Sequence, residues 1–259
     1  MSGSHDHLGG GPVGDLAGPI HRLDPRAKIV GLLAVTVVGV STPLSAWMVW
    51  VGCALVLAAV AALARVPPRI VWRRARVVLP LVLFVAAFLP FFREGEVAAS
   101  LGPLSITREG LQVLAEVSAK AIIGTVSAVL LGATTSVPAI IRGLEGMRVP
   151  RLLTLIAAFM YRYLFVIADE MRRMRSALAS RAYRPRSLLQ AGALGRMTTA
   201  LFLRSYARGE RVYLAMLSRG YRGQMPRLEP LRFARADALF VGLVVLALVP
   251  LRAIAGVLP

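Results

Sequence analysis

IVGLLAVTVVGVSTPLSAWMVWVGCALVLAAVAALA, residues 29–64, contains no charged side chain between Lys28 and Arg65. As one helix, these 36 residues would extend about 54 Å at 1.5 Å per residue, against about 30 Å of hydrocarbon in a bilayer. The run must therefore fold back on itself. Its only punctuation is Ser41-Thr42-Pro43-Leu44-Ser45, which predicts two membrane spans joined by a tight turn.

Further apolar runs follow outward from this pair. One extends from Val77 to Phe92 between Arg76 and Arg93, one from about Leu111 to Ala133 with Glu116 and Lys120 near its start, and the last from about Ala236 to Leu258. The expectation is an all-α membrane protein of about five transmembrane helices plus a cytoplasmic helical domain. The composition agrees: 57% of the 259 residues are hydrophobic and the mean hydropathy is +0.67, above what a soluble core of this size needs. Residues 1–26 are Gly-rich and polar and lack the apolar core of a signal peptide, so the first span is expected to serve as the insertion signal.

Arginine and lysine set the orientation. Arg22, Arg26 and Lys28 precede the first span, and Arg65, Arg69, Arg73, Arg74 and Arg76 separate the second from the third without an intervening acid. Both segments are placed in the cytoplasm. The uncharged turn at Ser41 and the mixed stretch Arg93–Glu109 are placed outside. Leu152–Ala168 resembles another span with Arg162 at its middle. Were it to cross, Asp169–Arg235 would face outward with fifteen arginines against four acids, inverting the bias of the first loops, and the central arginine would add a few kcal/mol to insertion. The division expected is a cytoplasmic N-terminal segment (1–26), a four-span bundle (27–133), a cytoplasmic coupling domain (134–235) and a final span (236–259) that leaves the C-terminus outside.

Two stretches of the cytoplasmic domain repeat each other: Ala177-Leu178-Ala179-Ser180-Arg181-Ala182-Tyr183-Arg184 and Ala215-Met216-Leu217-Ser218-Arg219-Gly220-Tyr221-Arg222. Each is read as the close of a helix, with Pro185 after the first and Gly220 and Gly223 interrupting the second. In the first helix Met171, Met174 and Leu178 keep one face apolar, and Arg181 returns to it. In the second, at about 100° per residue, Arg204, Arg208, Arg211, Arg219 and Arg222 fall on one stripe and Phe202, Tyr206, Tyr213 and Leu217 opposite. One face is expected to pack and the other to meet an anionic group. The plainer reading makes these arginines anchors that snorkel to lipid headgroups.

The chain resembles the T components of energy-coupling-factor (ECF) transporters, most closely that of the cobalt system, CbiQ. The carrying residues are His21-Arg22-Leu23-Asp24-Pro25-Arg26-Ala27-Lys28, then Tyr161-Arg162-Tyr163-Leu164 with Asp169-Glu170 and Arg172-Arg173-Met174, and the two arginine repeats. The resemblance covers nearly the whole chain after residue 20. It implies that two coupling helices end in short motifs, commonly Ala-Arg-Gly, that dock on a pair of ABC ATPases. Ser180-Arg181-Ala182 and Ser218-Arg219-Gly220 match as variants, with Ser at the first place of both and Ala at the third of one. It further implies an importer of cobalt ions, whose substrate-binding membrane subunit is a separate chain, and a multi-pass cell-membrane location. Arg184 and Arg222 complete the expected coupling set.

Other chemistry is thinly represented. No Gly-Lys-Ser/Thr phosphate loop and no His-Glu-x-x-His motif occurs, and the three histidines all precede residue 22, so no catalytic residue and no cofactor is expected. His5-Asp6-His7 offers too few ligands for a closed metal site. Cys53 is the sole cysteine and excludes a disulfide framework. Glu116 and Lys120, spaced i, i+4, are read as a neutralising helix pair, Asp24 before Pro25 as a turn or cap, and Asp169 and Glu170 as partners of nearby arginines. The net charge of +18 admits nucleic acid in principle, but the basic helices form no recognised nucleic-acid module. The rival from another class is a stand-alone secondary transporter, consistent with five spans and an intramembrane Glu116. Substrate identity is not legible in this chain.

Overall fold

The computed structural model describes residues 18–43, 46–77, 80, 84, 97–101, 104–181, 183, 192–223 and 233–257. The chain forms two compact units, one of Met1–Met147 with Leu231–Pro259 and the other of Arg148–Pro230.

In the first unit, a 3-10 turn at Pro19–Arg22 leads into α1, Pro25–Ser41. Asp24 caps α1, its carboxylate accepting the Arg26 N–H at 2.8 Å, and Pro25 starts the helix where a missing N–H costs nothing. Pro43 disfavours helix at Thr42 and so ends α1. The turn is held by the Trp50 indole N–H, which donates to the Pro43 carbonyl at 3.1 Å. Helix α2, Trp47–Leu63, closes with Arg65 N–H bonded to the Ala62 carbonyl and Val66 N–H to that of Ala61, both at 3.0 Å. Arg65 takes the left-handed conformation at φ 52°, as a Schellman close requires. Two prolines follow, and residues 68–77 begin α3. The fold-back in 29–64 thus occurs at the expected turn. Of the expected third span, Val77 to Phe92, nearly all lies outside the described residues.

One short two-stranded element interrupts the helices, within the stretch Arg93–Glu109. An antiparallel hairpin, β1 (Val97–Leu101) and β2 (Leu104–Thr107), pairs Leu101 with Leu104 across its turn. Helix α4, Arg108–Thr134, follows at once, and α5 spans Val137–Gly146. The last helix of this unit, α8, runs Arg235–Val257.

Helices α1, α2, α4 and α8 share an apolar core of Leu32, Val35, Val49, Cys53, Leu57, Ile123, Leu130, Val244 and Leu248. Close approach is built in: a Cβ on Gly31 would lie 2.8 Å from the Phe240 ring, so a larger residue here would force that ring to shift. The outward faces are apolar too, with Val30, Leu33, Val37 and Val40 on α1 and Leu239, Leu243, Leu246 and Val249 on α8 all exposed. Helices apolar all round belong in a large core or in lipid.

One end of this bundle is polar and closed. Asp237 accepts two N–H groups at 2.7 Å, from Asp24 through Oδ1 and from Ala234 through Oδ2. The second bond is the reciprocal half of a capping box, and the first ties the start of α8 to the start of α1. Lys28, 2% exposed, donates from Nζ to the carbonyls of Thr134 at 3.1 Å and His21 at 3.2 Å, while the carboxylates of Asp237 and Asp24 act on its charge. Gly18 abuts the Leu63 carbonyl. Thus α1 and α8 begin at the end where α2 and α4 finish. Two helix N-termini at about +0.5 charge each, plus Lys28, are balanced by two carboxylates and the negative end of α4. Burial and then the Lys28 charge hold the His21 imidazole below its ordinary pKa.

Residues 134–147 group with the first compact unit. The reason is packing: a Cβ on Gly143 would lie 3.1 Å from both Ile29 and Pro25 of α1. Helix α5 packs against the first turns of α1.

The second unit holds two long helices in contact, α6 (Arg151–Ser180) and α7 (Gly192–Ser218). Among the described residues, two helical stretches are long and apolar enough to cross a membrane, Glu109–Thr134 and Arg151–Ser180. By that measure α6 qualifies, as its apolar stretch 152–168 does by eye. Helices α1 and α2, of 17 residues each, reach the lower limit of spanning length.

Candidate functional site: two arginine-tipped helix ends

The two repeats end their helices in the same register. Ser180 is the last residue of α6, with Arg181 at its C-cap, and Ser218 is the last of α7, with Arg219 next. Tyr183 N–H donates to the Leu178 carbonyl at 3.2 Å and Tyr221 N–H to the Met216 carbonyl at 3.0 Å, each bond spanning five residues. Arg181 N–H reaches the Leu178 carbonyl at 3.1 Å and Arg219 N–H the Met216 carbonyl at the same distance.

At the second tip, Gly220 has φ +78° and its N–H bonds the Leu217 carbonyl at 2.9 Å, completing a Schellman close. The left-handed turn needs a residue without a Cβ penalty, which explains the glycine. Ser180 Oγ and Ser218 Oγ donate backward to the carbonyls of Ser176 and Ala215, both at 3.0 Å. The hydroxyls are therefore occupied within their own helices. Arg181, Arg219 and Arg222 are exposed. Ala182 and Arg184 lie outside the described residues.

Behind the tips, Glu170 of α6 binds two guanidiniums. Its Oε2 accepts from Arg173 one turn on, and its Oε1 from Arg204 of α7, each at 2.7 Å. Beyond the apolar stretch 152–168, these two partners, Arg173 first, hold the Glu170 carboxyl below the usual carboxylate range. Asp169 pairs with Arg172 at 2.9 Å. Both acids thus pair with local arginines as expected, but the bond to Arg204, 34 residues away, carried no sequence signal.

The aromatic face of α7 departs from expectation. Phe202, Tyr206 and Tyr213, expected to pack, are 67%, 66% and 54% exposed. The most buried flank is centred on Leu201, with Ser205 and Val212 half-buried. One neighbouring helix covers a single flank of a cylinder, so the face of greatest hydrophobicity stays open. On α6, Leu152, Ile156, Met160 and Leu164 are likewise exposed in an i, i+4 row. Elsewhere Glu116 and Lys120 form the expected ion pair within α4. His5 and His7 lie outside the described residues, and among the described residues no group of His, Cys, Asp and Glu is assembled to hold a metal.

The CbiQ family, described as cobalt transport protein, matches residues 17–229. The chain belongs to this family. Both arginine tips fall within the match, as do the capped start of α1 and all of α5–α7. An energy-coupling factor transporter transmembrane protein, EcfT, of Thermanaerovibrio acidaminovorans is 29% identical over 244 residues, covering 87% of this chain and 88% of that one. The EcfT of Heliobacterium modesticaldum is 28% identical over 235 residues, 86% and 88% of the two chains. A putative ABC transporter ATP-binding protein of Bifidobacterium longum is 28% identical over 242 residues, which are 88% of this chain but 31% of its own length. With helices of spanning length and composition, this CbiQ-family chain is a membrane protein of a transport family.

Proposed function

We propose that this chain is the energy-coupling transmembrane subunit of an ECF-type ABC importer for cobalt ions. In this reading, Arg181 and Arg219 engage a pair of ABC ATPases and pass their motion to a separate substrate-binding membrane subunit. The observation that carries it is the matching pair of backbone bonds, Arg and Tyr N–H to one carbonyl, that closes both helices in the two copies of Ser-Arg-small-Tyr-Arg. Two like tips suit two like partners. A guanidinium presents a planar fork of donors to carboxylates and carbonyls, and the backbone close leaves it free of its own helix. The names carried by the relatives support ATPase partners, and the family's description supports cobalt. The chain itself would hydrolyse no ATP.

A topology follows from the same reading. Segment 135–234 leaves and returns at the one end of the bundle marked by Thr134 and Asp237, so it crosses the membrane an even number of times. If α6 crossed, α7 would have to cross as well, with Arg196, Arg204, Arg208, Glu210 and Arg211 in the hydrocarbon. Charges there are each costly. Both helices therefore stay on the arginine-rich, cytoplasmic side, and the membrane is crossed five times.

Co-purification of ATPases in mild detergent tests the proposal. Loss of a buried charge-assisted contact costs about 2–5 kcal/mol, so Arg181→Ala and Arg219→Ala each weaken the complex and the uptake of cobalt. The double variant abolishes assembly, since two docks on one body act together. Arg227→Ala and Arg232→Ala change little. Equal small losses in all four single variants would mean lipid anchoring and sink the dock. Uptake by the chain alone would make it a secondary transporter.

A further inference from the structure

We propose that Glu170 is a positioning residue, a clasp that sets the crossing of α6 and α7 and hence the separation at which the two arginine tips are presented. The purpose given to that separation rests on the reading of Arg181 and Arg219 as docks. The clasp itself rests on three observations. Both carboxylate oxygens are used, one by Arg173 of the same helix and one by Arg204 of the other, each at 2.7 Å. The acid side chain is 16% exposed while the guanidiniums are 66% and 64% exposed, so it lies beneath them and the arginines close over it. Third, the apolar contact around it is thin, since Phe202, Leu203 and Tyr206 beside Arg204 are exposed among the described residues.

Leverage decides why so small a group matters. From Glu170 to Arg181 is about 16 Å along α6, and from Arg204 to Arg219 about 22 Å along α7, at 1.5 Å per residue. A play of about 10° at the crossing therefore moves a tip by about 3–4 Å, the whole length of a hydrogen bond. A functional group needs placement within about 0.5 Å. Exposed ion pairs contribute little to stability, yet a carboxylate bonded through both oxygens to two helices fixes direction. The role is geometric, and melting temperature is the wrong readout.

Spin labels at Ser176→Cys and Ala215→Cys, in the full chain carrying Cys53→Ser, report the distance between the helices near their tips. The unmodified clasp gives one narrow distribution. Glu170→Gln and Arg204→Gln each broaden it by several ångströms, whereas Arg173→Gln, which leaves the inter-helix bond, does not. The exchange Glu170→Arg with Arg204→Glu narrows it again and restores cobalt uptake that Glu170→Gln lowers several-fold. An unchanged distribution in Glu170→Gln and Arg204→Gln overturns the clasp, and so does equal broadening by Arg173→Gln. The distance is measured without ATPases. If it responds as stated while Arg181 and Arg219 variants still co-purify ATPases normally, the dock reading has failed and the clasp stands.

Discussion

Asp237 is the side chain on which most of the polar end of the bundle depends, because one buried carboxylate serves the starts of two helices and the field at Lys28. Removing it leaves the Asp24 and Ala234 N–H groups without their acceptor and a buried ammonium with less compensation. An unsatisfied buried donor costs about 1–3 kcal/mol, and an uncompensated buried charge costs about 3–5 kcal/mol. Asp237→Ala is therefore expected to destabilise the bundle by about 3–5 kcal/mol, read as a fall in the thermal midpoint of the detergent-solubilised protein. Asp237→Asn keeps one acceptor oxygen and loses the charge, so its midpoint falls between the two. A midpoint unchanged in Asp237→Ala would show that water replaces the carboxylate. At this scale the sequence was half legible. Asp24-Pro25 read correctly as a cap from local spacing. Its partner could not be read, since the two residues are 213 positions apart and Asp237 by itself looks like any acid at the start of a helix.

Among elements, the contact of α1 with α8 turns on Gly31, where the Phe240 ring takes the place of a side chain. Gly31→Leu forces that ring and the helix behind it outward; overpacking of this kind costs about 1–3 kcal/mol. The expected outcome is a lowered thermal midpoint that Phe240→Ala, made in the same chain, partly recovers. No recovery would place the damage elsewhere. The limits of α1 and α2 were legible because charges are excluded from hydrocarbon, so Lys28 and Arg65 bracket them and Pro43 divides them. The ends of α6 and α7 were legible because the repeat carries its own stop signals. The hairpin at 97–107 was not: nine strand residues between charged stretches look like any external loop. Nor was the place of α5, since an amphipathic helix of ten residues shows which face is apolar but not what the face meets. The open aromatic face of α7 marks the same limit, because periodicity predicts a side that wants cover and says nothing about whether the cover is in the same chain.

For the whole molecule, topology is the statement most open to test. In intact cells a cysteine at Gln190→Cys should resist a membrane-impermeant thiol reagent until the membrane is opened, and one at Pro259→Cys should react from outside. Background is low because the native Cys53 is buried. Labelling of residue 190 from outside would overturn the cytoplasmic placement of α6 and α7 together with the five-span count. The shared end of α1 and α8 also bears on the order in which the protein comes into being. A ribosome delivers Asp24 and Lys28 early and Asp237 only after the hairpin, α4–α7 and both arginine tips have emerged. Until then the Asp24 amide lacks its acceptor and the Lys28 ammonium one of its countercharges. The polar end of the bundle closes only when the last helix arrives beside the first, so a chain that stops before α8 leaves its own beginning unfinished.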